Sequence, residues 1–302
     1  MEKTALITGC SSGIGRATAE AFLDEEWVVY ATARDPDDLT DLVASARPAD
    51  GPADADGDDA DGARDDRGGT VVALELDVTD GDECRDAVER VIDERGRIDA
   101  LVNNAGYGQH GPLEDVPMRY VARQFDVNVF GPHRLVRAAV PHMRERGEGT
   151  VVNVSSLAGR LAAPGAGAYA ASKHAVEGYS DALRTELAPT GVDVVVIQPG
   201  PVTTEFRDRV DRELDKLDRS EDYGWVYDLQ ADAAVLGGDS PFATTPEAVA
   251  EAIVEASVIP DPDARYVVGG FARALSLAAY LPDRARDGLV RLVRTVDSVT
   301  PG

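Results

Sequence analysis

Apolar runs and amphipathic stretches alternate along the chain from its first residues. The runs "TALIT" (4–8), "WVVYATA" (27–33), "TVVALELDV" (70–78), "IDALVNN" (98–104), "GTVVNVSS" (149–156) and "VDVVVIQPG" (192–200) are short and nearly continuous. That is the pattern of strands buried on both faces. Helical spacing fills 13–26, 36–46, about 80–95, 117–145 and 167–188 between them. A capped helix over 245–258 then precedes a last strand in "ARYVVGG" (264–270). This alternation predicts an α/β fold with a doubly wound parallel sheet and helices on both faces. Right-handed crossovers bring the strand C-termini to one edge, where such sheets bind their ligands.

Three segments break the rhythm. Residues 49–69 carry eight aspartates against two arginines and almost nothing to bury, which predicts a solvated insertion. Its alternating Asp and Gly raise a calcium loop as an alternative, but no glutamate closes a twelve-residue ligand set, so no metal site is expected. The stretch 201–240, with Phe206, Tyr223, Trp225, Tyr227 and Leu229, and the turn 107–118 lie where they would shape a substrate cleft. Aromatics beside a cleft suggest an apolar or ring-bearing substrate. Residues 271–302 hold five arginines against three aspartates, with an amphipathic stretch "GLVRLVRTV" at 288–296. A helix covering the cleft or a subunit contact is expected there, a membrane-touching helix being the alternative. We read the whole of 1–302 as one domain.

Charge narrows the function. Fifty-five acidic against 30 basic residues give a net charge of −25, which disfavours nucleic acid and anionic lipid as partners. Lysine is scarce: only Lys3, Lys173 and Lys216. Many acids with few lysines point to a high-salt cytoplasm, in which case stability falls below ~0.5 M salt as the Debye length grows. Two cysteines make no disulfide framework, and no run approaches the ~18 apolar residues of a membrane span. A soluble, cytoplasmic protein is expected.

Chemistry enters with "TGCSSGIG" (8–15), between the first strand and first helix. Gly9, Gly13 and Gly15 allow a tight turn and close backbone approach, and with Ser11, Ser12 and Ile14 they open a helix N-terminus that suits a pyrophosphate. Tyr169 and Lys173 stand one helical turn apart among small residues. At ~4 Å and an effective dielectric of ~20, an ammonium favours a phenolate by ~4 kcal/mol, which would carry the Tyr169 pKa toward ~7. A hydroxyl at Ser156, ending the fifth strand, faces the same edge, while Ser155 should point to the other face. The histidines His110, His133, His142 and His174 show no ligand-like grouping and suit helix surfaces or cleft walls.

T-G-x-x-x-G-x-G, "NNAG" (103–106) and Y-x-x-x-K, in this order, resemble the short-chain dehydrogenase/reductase family over about residues 4–205, and suit its compact ~250-residue branch. "NAGYG", "GPLEDVP" and "QPGPVTTEF" resemble the subgroup of 17β-hydroxysteroid and retinol dehydrogenases. The resemblance implies a Rossmann fold whose seven-stranded sheet has the order 3-2-1-4-5-6-7. It implies hydride transfer between a nicotinamide and a carbonyl or alcohol carbon, with Tyr169 exchanging the proton, Ser156 holding the oxygen and Lys173 tuning Tyr169 and binding ribose. Asn128, in "NVFG", matches the asparagine that holds a relay water. Asp77 and Val78 are expected at the adenine, Asn104, Ala105 and Gly106 along the ribose, and Val202 and Thr204 near the carboxamide, with Pro199 and Gly200 also among the cofactor-binding residues. Dimers or tetramers built on helices 117–145 and 167–188 are implied as well. Where many relatives place a carboxylate for the ribose 2′-hydroxyl, this chain has Ala33 and then Arg34, so NADP(H) is expected over NAD(H). A catalytically silent NADP sensor or scaffold is the alternative, as is a sugar-nucleotide epimerase or dehydratase. The retained Tyr169 and Lys173 disfavour the first, and the glycine spacing disfavours the second.

Overall fold

The computed structural model describes residues 2–47, 67–231 and 243–288. Most of the acidic insertion, residues 232–240 of the substrate loop and all but Gly288 of 288–296 lie outside the described residues. Eight parallel strands form one sheet: β1 (Thr4–Thr8), β2 (Val28–Ala33), β3 (Ala46–Arg47), β4 (Arg67–Glu75), β5 (Ala100–Asn103), β6 (Gly149–Val154), β7 (Val192–Pro199) and β8 (Arg265–Val268). Their order is β3-β4-β2-β1-β5-β6-β7-β8. The expected seven strands keep their expected order. The eighth is the two-residue β3, paired to the outer edge of β4 with a register shift. It is too short to leave a pattern in the sequence. Arg67, Gly68 and Gly69, expected in the insertion, open β4 instead.

The helices are α1 (Gly13–Asp24), α2 (Thr40–Ala44), α3 (Gly81–Arg95), α4 (Met118–Phe125), α5 (Gly131–Arg146), α6 (Gly167–Leu187), α7 (Phe206–Leu214), α8 (Gly224–Ala231), α9 (Pro246–Val258) and α10 (Gly270–Ser276). Strand alternation sorts the core into two layers. From β1, Ala5 and Ile7 join Phe22 and Leu23 of α1 and Val249 and Ile253 of α9 on one face. Leu6 joins Val88 of α3, Leu135 and Met143 of α5 and Leu183 of α6 on the other. All of these are buried, and each large side chain among them contributes roughly 1.5–3 kcal/mol by leaving water.

The single helix expected over 117–145 is broken. Between α4 and α5 the backbone widens into a π turn, Asp126–Phe130. Pro132, inside the first turn of α5, has no N–H to give the carbonyl of Asn128 four residues earlier, so one rung of the helical ladder is missing where the π turn meets α5. The sheet order reverses between β1 and β5, and the turns that follow these two strands meet there, at the switch point where such sheets hold ligands.

Candidate active site

The turn after β1 is held from across the switch point. Asn104, just past β5, donates its side-chain amide to the carbonyls of Thr8 (2.9 Å) and Gly9 (3.2 Å). Thr8 Oγ1 in return accepts from the backbone N–H groups of Asn104 and Ala105 at 3.0 and 2.9 Å. Gly9 has φ +74°, a left-handed conformation that glycine adopts without strain. A Cβ on Gly15 would stand 2.1 Å from the Gly9 carbonyl oxygen, so α1 starts directly beneath the turn only because Gly15 has no side chain. Asn104, expected along a ribose, lines the cleft, and its amide is engaged in bracing this loop.

A cleft of about 1140 Å³ runs along the strand C-termini. Of the anticipated cofactor residues, Gly9, Ser11, Ser12, Gly13, Ile14, Arg34, Asp77, Val78, Asn104, Ala105, Gly106, Pro199, Gly200, Val202 and Thr204 all line it, as do Ser156, Tyr169 and Lys173. Gly15 and Asn128 do not. Gly15 sits behind the loop, and Asn128 sits behind the wall. The Asn128 side chain is wholly occupied: Oδ1 accepts from Tyr107 N–H (2.8 Å), and Nδ2 donates to the Tyr107 carbonyl (2.9 Å) and to Ser172 Oγ (3.0 Å). It fastens the turn after β5 to α6. The cradle without Cβ atoms, the helix N-terminus beneath it and the cleft beyond fit a dinucleotide's pyrophosphate.

At the far end of the cleft three side chains converge. The backbone stays extended through Ser156 (φ −169°, ψ 164°), so alternation turns Ser155 to the opposite side. The Ser155 hydroxyl is buried against Gly159 and has no partner, as the alternation anticipates. The Ser156 hydroxyl accepts from Ala158 N–H at 3.1 Å and lies close enough to Tyr169 to draw its phenol pKa down. Lys173 is buried and donates to the main-chain carbonyl of Val154 at 2.9 Å, with Nζ 5.8 Å from the centre of the Tyr169 ring. Burial raises the Tyr169 pKa to about 12, against the pull of Ser156, and lowers that of Lys173 to about 8, which nearby Glu177 opposes. The expected lowering of the phenol by the lysine is not what these residues produce by themselves. Both charged forms lose water, and that loss outweighs their attraction at this separation.

Tyr169 is flanked by two rings, His110 and Phe206, each 5.7 Å away between ring centres. His110 Nδ1 bonds Gln230 Oε1 at 2.8 Å, while Gln230 Nε2 donates to the Pro164 carbonyl at 2.8 Å. Gln230 therefore accepts from the imidazole, which fixes the proton on Nδ1. Burial holds this imidazole below its usual pKa, so it is neutral. Of the aromatics read as cleft-facing, Phe206 alone lines the cleft among the described residues. Tyr227 packs with Val116, Leu214 and Leu217 in a small core of its own and donates to Asp115 at 2.6 Å, and Tyr223 donates to Glu114 at 2.7 Å. These two pin α8 to the 107–118 turn. The apolar wall near Tyr169 comes from Leu157, Leu161, Val210, Phe271 and Leu275. No group of His, Cys, Asp and Glu among the described residues is arranged to hold a metal ion, and none of their helices is long and apolar enough to cross a membrane.

Fold and cleft together define a dinucleotide-binding α/β protein, and comparison with known proteins makes the class specific. The chain belongs to the short-chain dehydrogenase family, whose model, described as short chain dehydrogenase, matches residues 3–215. It is an NAD(P)-dependent oxidoreductase acting on CH–OH/C=O groups. It is 34% identical over 295 residues to the uncharacterized oxidoreductase YbbO of Escherichia coli K12, covering 96% of this chain and 95% of that one. It is 34% identical over 94% of each chain to an NADPH-dependent 3-dehydrocapnine reductase of Ornithobacterium rhinotracheale. With human 17-beta-hydroxysteroid dehydrogenase type 1 it shares 36% identity over 86% of this chain and 76% of the relative. A solved short-chain dehydrogenase from Streptomyces avermitilis superposes with a TM-score of 0.75 at 32% identity, covering 100% and 99% of the two chains. The likeness therefore extends beyond residue 205, and at 302 residues the chain exceeds the ~250-residue size expected of it. The C-terminal third belongs to the shared architecture.

Proposed function

We propose that this protein transfers a hydride between NADP(H) and the carbonyl or secondary alcohol carbon of an apolar small molecule, through Ser156, Tyr169 and Lys173. One observation carries the reading: a serine, a tyrosine and a buried lysine line one end of a cleft that begins at the glycine loop. In the reducing direction the substrate oxygen sits between Ser156 and Tyr169. Ser156 donates a hydrogen bond to the oxygen as negative charge develops there. The Tyr169 phenol gives up its proton, the O–H bond breaking as the alcohol O–H forms. Lys173 stabilises the resulting phenolate and binds ribose hydroxyls, and Asn128 braces Tyr107 and Ser172 around a proton relay. A bound nicotinamide supplies or takes the hydride, and in its oxidised form adds positive charge that favours the phenolate.

Arg34 supports NADP(H): it is exposed at the end of β2, lines the cleft and has a planar fork suited to a 2′-phosphate. The NADPH dependence stated for the 3-dehydrocapnine reductase agrees. That name and the hydroxysteroid dehydrogenase name support a ketone or its alcohol as the reacting group. We read residues 1–302 as one NADP-binding domain, assembled as a homodimer or homotetramer on α5 and α6, working in a high-salt cytoplasm where −25 charges are screened. An unfolding curve that holds its midpoint below ~0.5 M salt would remove the last point.

The test is Tyr169→Phe. Loss of the proton should cut kcat for reduction of a screened apolar ketone by roughly 10²–10⁴, with the Kd for NADPH unchanged within about threefold. Near-normal turnover would sink the assignment.

A further inference from the structure

The start of α7 lies across the glycine-rich loop. A Cβ added to Gly13 would stand 3.1 Å from the methyl group of Thr204, just before this helix. From within α7 the Arg209 guanidinium reaches the loop itself and donates from Nη2 to Ser12 Oγ at 2.7 Å. Its other partner is Glu205, one turn earlier on the same segment, at 3.3 Å and exposed. Ser12 is the N-cap residue of α1, yet its hydroxyl caps no backbone N–H. Arg209 and Ser12 both line the cleft.

Electrostatics favour an anion between these groups. The N-terminus of α1 carries unpaired N–H groups and a partial positive charge, which repels a cation. Glu205, exposed and 3.3 Å away, offsets that repulsion from one side, and an anion lying between the guanidinium and the helix N-terminus would be attracted by both. Arginine offers planar, paired donors to phosphate oxygens.

We propose that Arg209 is a latch for the cofactor's pyrophosphate. With a nicotinamide dinucleotide in the cleft, its guanidinium binds phosphate oxygens and fastens α7 over the cofactor, while the glycine loop holds the same group from below. Arg34 and Arg209 then divide the phosphates, Arg34 taking the 2′-phosphate and Arg209 the bridge common to NADPH and NADH. The inference rests on the nicotinamide reading of the cleft.

Equilibrium binding of NADPH and of NADH to the full-length protein, followed by calorimetry, tests it with wild type, Arg209→Gln and Arg209→Lys. Removing one charge-assisted hydrogen bond in Arg209→Gln should weaken both cofactors by a similar factor of about ten. Arg209→Lys should recover part of that affinity, and the slope of log Kd against log salt should be shallower in the Gln variant than in wild type. Kd values within twofold of wild type for both cofactors would overturn the latch. Weakening confined to NADPH would also overturn it, because it would place Arg209 at the 2′-phosphate. A wild-type protein that binds neither dinucleotide would remove the cofactor reading itself, a result distinct from either.

Discussion

Lys173 gives its ammonium to the Val154 carbonyl, 2.9 Å away, and its Nζ stands 5.8 Å from the centre of the Tyr169 ring. At ~6 Å and an effective dielectric of ~20 a charge pair gains roughly 3 kcal/mol. Complete burial shifts a pKa by up to ~3–5 units, or roughly 4–7 kcal/mol. Desolvation therefore wins, which is why the phenol lies at about 12 and the ammonium at about 8.

That balance has a consequence for stability. The Lys173 pKa in the fold, about 8, is below its ordinary 10.5, so the buried ammonium costs stability in full below about pH 8. Between about pH 8 and 10.5 the unfolded chain still holds the proton and the folded chain has released it, so stability rises with pH. The rise is on the order of 3 kcal/mol over the full window. Tyr169 acts oppositely: its folded pKa of about 12 exceeds the ordinary 10, so its contribution is lost only from about pH 10 upward. Burial also raises the Cys10 and Cys84 thiols from 9.0 to about 12 and about 11, which lowers stability above about pH 9 in either protein. Urea denaturation between pH 7.5 and 10 should therefore show wild type gaining stability relative to Lys173→Met. Parallel profiles would mean that Lys173 titrates at its ordinary value.

Arg34→Asp addresses cofactor choice. Asp35, the neighbouring acid that could offset the Arg34 charge, accepts from Asp37 N–H at 3.1 Å and so caps the short turn after β2. Arg34 is left as the cation at the strand end. Replacing it with a carboxylate removes a charge-assisted hydrogen bond and adds repulsion to a 2′-phosphate, so kcat/KM with NADPH should fall about 100-fold. Activity with NADH should hold or rise. An unchanged ratio of the two efficiencies would show that the 2′-phosphate lies elsewhere.

The alternation of strands and helices and the glycine loop were legible because they rest on local signals, whereas the sheet order and most of the cleft lining followed from the family resemblance. Strand runs such as "TALIT" and the periodicity of α6 carry their own burial pattern, and the glycine spacing at 9, 13 and 15 is a backbone requirement written in the sequence. Ser156 could be preferred to Ser155 because strand alternation persists to the cleft edge. What escaped depends on contacts between distant segments. The π turn at Asp126–Phe130 had a local cue in Pro132, but its effect on Asn128 becomes visible only once Tyr107 and Ser172 are seen to take that side chain. Tyr223 and Tyr227 resemble cleft aromatics by position, yet two carboxylates of the 107–118 turn draw them to a small core with Val116, Leu214 and Leu217. Nothing near residue 209 in the sequence marks Arg209 as a neighbour of Ser12.

Gly15 separates the two meanings a glycine can have in this fold. It does not line the cleft, but a Cβ there would meet the Gly9 carbonyl oxygen at 2.1 Å and Asn104 Nδ2 at 2.5 Å. Neither neighbour can yield cheaply, because the first is backbone and the second is bonded to Thr8 and Gly9. Gly178, on the exposed side of α6, would meet nothing within 4 Å. Gly15→Ala should therefore cost ~1–3 kcal/mol by overpacking, lower Tm by several degrees, and weaken NADPH binding at least about tenfold as the turn shifts. Gly178→Ala should raise stability by up to ~1 kcal/mol through helix propensity alone and leave the Kd unchanged. Thermal melts and cofactor titrations on the pair check this. A Gly15→Ala protein that binds NADPH like wild type would mean that the loop tolerates displacement, and that tight packing beneath it is not what forms the phosphate cradle.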